Sequence, residues 1–233
     1  MKKLGKFETI YQRACKRKGG QDKLNSLLAS TLKTPYKEYP SDDRILSEMT
    51  RCVFQAGFSW RVVDKKWPDF EQVFERFDPQ ILRFLSAEDI DNLSTDTRII
   101  RNRQKINSVR ENAQFIYEQS LEHGSFAAML KQWPANEPLS LFILLKKNGS
   151  RLGGMTGPRV LRNIGYDTYL LTTDVISCLL DNGLNISTSP TSLTDLRLVQ
   201  SSFNNWQNET GFSFSQLSKI CSWSIGENFV TAD

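Results

Sequence analysis

The stretch Leu152-Gly153-Gly154-Met155-Thr156-Gly157-Pro158 decides how the rest of this chain is read. It follows an apolar run, Leu141 to Lys147, and precedes a second helical segment, roughly Pro158 to Asn163, so it joins two short helices. Three glycines within five residues permit positive φ angles and the close approach of a second backbone. Where the next helix begins, several amide N–H groups lack an intrahelical acceptor, and the positive end of the helix dipole reinforces them. Residues Gly154 to Gly157 are therefore expected to turn amides toward a phosphate. A plain helix-to-helix turn uses glycine equally, so the stretch taken alone leaves both readings open.

Outward from this hairpin, helical spacing dominates and strand alternation is nearly absent. Ile45, Met49, Cys52 and Val53 recur on one helix face after the start signal Ser41-Asp42-Asp43. Ser86 to Asp89 reads as a capping box before a short helix ending near Leu93. Ile106, Val109, Ala113, Ile116 and Tyr117 mark a long helix that stops near Gly124. Ser192 with Asp195 opens another carrying Leu196, Val199 and Phe203, and Ser213 caps a last one with Leu217, Ile220 and Cys221. Prolines 35, 40, 68, 79, 134, 138 and 190 are expected at helix ends or starts. With no repeat and no linker long enough to separate domains, residues 1–233 read as a single all-α domain of about ten helices. The N- and C-terminal helices are expected to pack together, and the two-helix element is expected at about 141–164.

Composition narrows the function classes. An apolar fraction of 39% fits a globular core, and the longest apolar runs, such as Leu139 to Leu145, fall short of the ~20 residues of a membrane span. The basic start, Met1 to Lys6, has no apolar stretch behind it and does not read as a secretory signal. Cys15, Cys52, Cys178 and Cys221 are scattered, and His123 is the single histidine, so neither a disulfide framework nor a metal site is expected. The net charge of +4 is uneven. Seven basic residues stand against one acid in the first 18 positions, and Arg98, Arg101, Arg103, Lys105 and Arg110 cluster between 98 and 110. Two basic and five acidic residues follow from Asp181 onward. Such asymmetry suits a protein that turns one face to a polyanion, although charge runs are commonly just solvated helix faces.

The hairpin resembles the helix-hairpin-helix element of the DNA glycosylase superfamily, of the form L-x-G-x-G/T-G. In that superfamily a catalytic Asp follows further on, near the start of another helix. Thr172-Thr173-Asp174-Val175 occupies that place, with Asp174 lying 18 residues beyond Thr156. Gln55-Ala56-Gly57-Phe58-Ser59-Trp60 resembles the Q-A-G-x-S-W segment of the 3-methyladenine DNA glycosylase I family. The likeness continues through Lys65-Lys66, Phe77-Asp78-Pro79, Ile99 to Ile106, Asn112-Ala113 and Lys146 to Gly149, so it spans about residues 44–160.

This resemblance implies a DNA base-excision glycosylase that hydrolyses the N-glycosidic bond of alkylated purines such as 3-methyladenine. It implies a base pocket at Trp60, Phe54, Gln55 and Cys52, with a flipped purine stacked on Trp60. DNA contacts are implied at Gly153, Gly154, Thr156 and Gly157 and at Arg101, Arg103 and Lys105, and catalysis at Asp174. Its partner is double-stranded DNA containing a damaged base; no cofactor and no membrane are expected, and the chain reads as a cytoplasmic, nucleoid-associated monomer.

The chain also departs from that family. The zinc held there by two Cys and two His is not matched by the lone His123, and the pocket glutamate three residues before Q-A-G is Cys52 here. Superfamily members with a lyase step carry a Lys where Pro158 stands, which implies a monofunctional enzyme that leaves the abasic site uncut. Two other classes stay open. One is a non-catalytic DNA-lesion or DNA-structure binding protein, and the other a helical interaction protein whose Trp60 and hairpin are purely structural.

Overall fold

A computed structural model of the chain describes residues 5–31 and 39–227; Lys2, Lys3 and Pro35 lie outside the described residues. Among the described residues are thirteen α-helices, one 3-10 turn and no strand, so the all-α class holds with more helices than about ten. The surplus comes from elements such as Pro79–Leu82, too short to display a helical period.

The described residues fold into two compact units: residues 5–31, 135–139 and 167–227 form one, and residues 39–134 and 140–166 the other. In the second unit, α3 (Asp42–Gln55) lies against α7 (Arg103–His123) and α10 (Thr156–Asn163). Ile45, Met49 and Val53 of α3 meet Ile106, Val109 and Ala113 of α7 and Val160 and Leu161 of α10 in one buried core. Each of these side chains except that of Ala113 contributes roughly 1.5–3 kcal/mol on burial. α4 (Trp60–Val73) adds Val63, Trp67 and Phe70, with Trp67 stacked on Phe70 and on Phe77 at 5.0 and 5.5 Å between ring centroids.

Carboxylates join elements that sequence spacing does not connect. Asp42 accepts the amides of Phe126 and Ala127 at 3.0 and 3.3 Å, holding the start of α8 (Phe126–Gln132) against the start of α3. Glu71 accepts from Trp67 Nε1 and Ser47 Oγ and pairs with Arg44.

The other unit packs α1 (Phe7–Lys18), α11 (Thr173–Asp181) and α12 (Leu193–Thr210) on α13 (Phe214–Trp223). Phe7 meets Trp206 at 5.3 Å, and Tyr169 stacks on Phe203 at 4.6 Å. Asp167 accepts the Phe214 and Ser215 amides, both at 2.9 Å, and so completes the N-terminus of α13. Arg13 of α1 pairs with Asp181 at 2.5 Å and reaches Ser224 Oγ and Cys178 Sγ at 3.4 and 3.9 Å.

The caps read from the sequence are present. Ser86 with Asp89 and Ser213 with Gln216 form full capping boxes, Ser192 caps α12, and Gly124 ends α7. Pro68 is the exception, because it lies inside α4 and not at an end. Pro68 is exposed, and so is Asp64, whose carbonyl loses the intrahelical hydrogen bond that a proline cannot donate.

Candidate active site and nucleic-acid interface

The glycine-rich stretch forms the hairpin between α9 (Pro138–Asn148) and α10. Its shape depends on two internal bonds, Thr156 N–H to Gly153 O at 3.2 Å and Gly157 N–H to Leu152 O at 3.0 Å. Those two amides, expected to point outward, are thereby consumed in closing the loop. The amides of Gly153, Gly154 and Met155 make no backbone hydrogen bond among the described residues, so the donors left over in this loop lie one step earlier than the sequence suggests. Gly154 has φ +59° with open space where a side chain would be. Gly157 is buried, and a Cβ there would sit 2.5 Å from Leu152 O, so its role is close approach and not outward display.

The hairpin is clamped from α7. Asn112, fully buried, accepts from Ser150 N–H at 2.8 Å and donates back to Ser150 O at 3.1 Å. The side-chain amide imitates a strand partner and fixes the loop against the core. Beside the loop, Arg103, Arg110 and Arg151 line a cleft of about 430 Å³ with Glu111 as the counter-charge. Arg151 Nη1 donates to Gln104 Oε1 at 3.2 Å, and Arg103 pairs with Asp91 at 2.6 Å. Arg101 is exposed on the approach to α7.

Lys105 behaves differently from these arginines. It is buried, and its ammonium donates to Phe54 O and Ala56 O at 3.1 and 2.8 Å, which completes the C-terminus of α3. Burial holds its pKa below the ordinary lysine value, with the Arg151 charge acting in the same direction. Its electrostatic capacity is spent on protein carbonyls, which leaves Arg101 and Arg103 as the exposed cations of the predicted set.

Of the four predicted pocket residues, Trp60 alone offers a wide surface, at 49% exposure. Phe54 is fully buried with its ring edge-on to Phe70 at 4.8 Å, and Gln55 donates to Asp64 at 3.1 Å. Cys52 is buried one helical turn after Glu48, and its thiol donates to Glu48 Oε1 at 3.4 Å. Asn163 of α10 donates to the same oxygen at 2.7 Å. Arg159, one turn before Asn163, lays its guanidinium over the Trp60 ring at 4.6 Å from the centroid.

The sequence reading assigns no site role to Glu48, Arg159 or Asn163. Glu48 was within reach of it, being four residues before Cys52 on the same face; the two α10 residues depend on how α10 packs on α3. Burial and the Glu48 carboxylate push the Cys52 thiol well up, against the pull of Arg159 and Asn163. At neutral pH position 52 is thus an uncharged hydrogen-bond donor, and the carboxylate of this helix face is one turn earlier.

Asp174 belongs to the other unit. It is half-buried in the first turn of α11, where Thr172 caps the helix by accepting from Val175 N–H at 3.4 Å. A carboxylate at that position is favoured by the helix dipole.

Residues 37–143 match the methyladenine glycosylase family model. The chain is 41% identical over 59 residues to DNA-3-methyladenine glycosylase 1 of Escherichia coli K12, an alignment covering 25% of this chain and 32% of that protein. It thus spans about a third of the length of the curated relative. Among solved structures, a variant of 3-methyladenine DNA glycosylase I from Staphylococcus aureus superposes with a TM-score of 0.51 at 22% identity, covering 64% of this chain and 89% of that one. The 8-oxoguanine DNA glycosylase of Methanocaldococcus jannaschii gives 0.56 at 14% identity, covering 91% and 92%. At these identities both likenesses are of fold.

Proposed function

We propose, from the match of residues 37–143 to the methyladenine glycosylase family model, that this chain is a monofunctional DNA glycosylase releasing alkylated purines such as 3-methyladenine from duplex DNA. The observation that carries the proposal is the pairing, within one unit, of an outward-facing hairpin with a half-exposed tryptophan whose face already holds a planar cation. The hairpin amides of Gly153 to Met155 grip a backbone phosphate, and Arg101 and Arg103 add salt-dependent affinity.

A base inside a duplex is out of reach, so the nucleotide is extruded at a cost of about a few kcal/mol, least for a damaged base. The extruded purine stacks on Trp60. Cleavage of the C1′–N bond builds positive charge on the sugar. The Asp174 carboxylate stabilises that charge and orients or deprotonates the attacking water. A cationic methylated base leaves without a strong general acid. Pro158, where a lyase lysine would stand, leaves no amine for strand cleavage, so the product is an intact abasic site. The enzyme acts as a monomer on chromosomal DNA in the cytoplasm.

The test is incubation of the protein with methylated duplex DNA and chromatography of the released bases, with Asp174→Asn and Trp60→Ala alongside. Release of 3-methyladenine by the wild type, reduced on the order of 10²-fold in Asp174→Asn, is the expected result. Release unaffected by Asp174→Asn removes the catalytic assignment and keeps the enzyme. The thiol at Cys52, where the family has a glutamate, favours one second reading, a lesion-binding protein without chemistry. Salt-sensitive duplex binding that survives Asp174→Asn, with no base released by either protein, would establish it.

A further inference from the structure

The cleft of about 430 Å³ beside the hairpin brings together three guanidinium groups from two separate stretches of chain. Arg103 and Arg110 lie seven residues apart on one side of α7, two turns or about 10 Å along its axis. Arg151 enters the same cleft from the loop. Each guanidinium is tethered at one point only. Arg103 Nε donates to Asp91 at 2.6 Å, Arg110 Nη1 to Leu85 O at 3.3 Å, and Arg151 Nη1 to Gln104 Oε1 at 3.2 Å. A guanidinium carries five N–H donors, and among the described residues no other partner takes the remainder. Neither Arg110 nor Arg151 has a carboxylate within ion-pair distance among the described residues. Of the two acids, Asp91 is paired with Arg103 and Glu111 accepts from Asn107 at 2.7 Å. Three positive groups against two negative ones leave a surplus of one charge (3 − 2).

The loop wall of the cleft is held in place. Asn112 exchanges two hydrogen bonds with Ser150, so Arg151 projects from a backbone fastened to the helix that carries the other two arginines. Arg151 itself sits at φ +60°, in the left-handed region that glycine enters without strain and other residues rarely adopt. Backbone stability alone would favour glycine at this position, as at Gly154 with φ +59°.

We propose that Arg110 and Arg151, with Arg103, form a second phosphate site that takes a backbone phosphate of duplex DNA distinct from the one assigned to the hairpin amides. The bound strand then continues from the hairpin along α7 toward Arg110. The unspent edges of these planar groups suit the tetrahedral oxygens of a phosphate, which accept two parallel hydrogen bonds from one guanidinium. That DNA supplies the phosphate rests on the excision reading above; the anion site itself does not.

The experiment is a fluorescence-anisotropy titration of the whole protein with a lesion-free duplex over a series of salt concentrations. Wild type, Arg110→Ala, Arg151→Gly and Arg151→Lys are compared. Arg110→Ala and Arg151→Gly are each expected to weaken binding about three- to tenfold and to lower the slope of log K against log salt by about 1. Glycine accepts φ +60°, so Arg151→Gly should melt close to the wild type, and its lost affinity is then not lost fold. Arg151→Lys keeps the charge and is expected to keep the salt slope, yet to bind more weakly than wild type because an ammonium cannot make two parallel bonds. Wild-type affinity and slope in Arg110→Ala and Arg151→Gly, or no duplex binding by the wild type, overturns the proposal. Full affinity in Arg151→Lys reduces the cleft to unspecific charge and overturns it too. Calorimetric binding of inorganic phosphate to the wild type, with duplex affinity equal in all variants, would assign the cleft to a free anion and reject DNA as its ligand. Binding of an undamaged duplex requires no bond cleavage. The expected pattern in a protein that releases no base would sink the excision reading alone, while base release with these variants indifferent would sink this inference alone.

Discussion

Gly157→Ala and Gly154→Ala, two substitutions three residues apart in the same loop, should fail in opposite ways. At Gly157 the added Cβ would lie 2.5 Å from Leu152 O and 3.2 Å from Leu145 Cδ1. Restoring ordinary contact with that oxygen at 3.4 Å requires a shift of about 0.9 Å (3.4 − 2.5) in a backbone that has little freedom. The same carbonyl accepts the Gly157 amide at 3.0 Å, so the shift also stretches the bond that closes the hairpin. Overpacking of this kind costs roughly 1–3 kcal/mol and the weakened hydrogen bond about 1 kcal/mol, for a total near 3 kcal/mol. At about 2–4 °C per kcal/mol for a chain of this size, the melting temperature should fall by about 6–12 °C.

At Gly154 nothing lies within 4 Å of the new Cβ, and the cost is that of an alanine at φ +59°, about 1 kcal/mol or roughly 2–4 °C. Its methyl, however, would stand beside the amides assigned to phosphate, so duplex affinity should drop with little change in melting. Thermal unfolding by circular dichroism and fluorescence-anisotropy titration with duplex DNA separate the two effects. Equal melting shifts, or a larger one for Gly154→Ala, would refute the assignment of close approach to Gly157 and open display to Gly154.

Other substitutions probe the remaining parts of the site. Lys105→Met should destabilise the protein by about 2 kcal/mol in chemical denaturation, because it strips a donor from the Phe54 and Ala56 carbonyls while preserving the buried stem. Arg101→Ala should weaken duplex binding irrespective of sequence and reduce the slope of log K against log salt by about 1, while leaving the melting curve in place. The Cys178 thiol is lowered from its ordinary value of 9.0 to about 7, chiefly by the hydrogen bond from Cys221, then by Ser224 and the Arg13 guanidinium against the penalty of burial. A depressed folded-state pKa places this contribution to stability fully above pH 9 and removes it as pH falls through about 7. The melting temperature of wild type minus that of Cys178→Ala should therefore rise between pH 7 and 9; a flat or falling difference would contradict it.

Much of this molecule was legible in the order of its residues, because the relevant signals are local. Helix periods, the capping pairs Ser86/Asp89 and Ser213/Gln216, and the Gly124 stop act within one or two turns, and the structure contains each of them. The hairpin was legible for the same reason and the Q-A-G-x-S-W segment by its resemblance to a known family, whereas the exposure of Trp60 was not. Pro68 escaped because its tolerance depends on which side of α4 faces water. Tertiary structure alone decided the division of labour among the basic and polar residues. Lys105 and Arg103 look equivalent in sequence, yet packing of α7 against α3 buries one on two carbonyls and leaves the other exposed beside the basic cleft. Asn112 became the clamp of a loop 38 residues away, and Arg159 and Asn163 reached Trp60 and Glu48, only because α10 crosses α3. The physical reason is one of range. Capping and periodicity are settled by neighbours along the chain, whereas the partner of a long polar side chain is whichever group the packed core brings within about 3 or 4 Å of its tip.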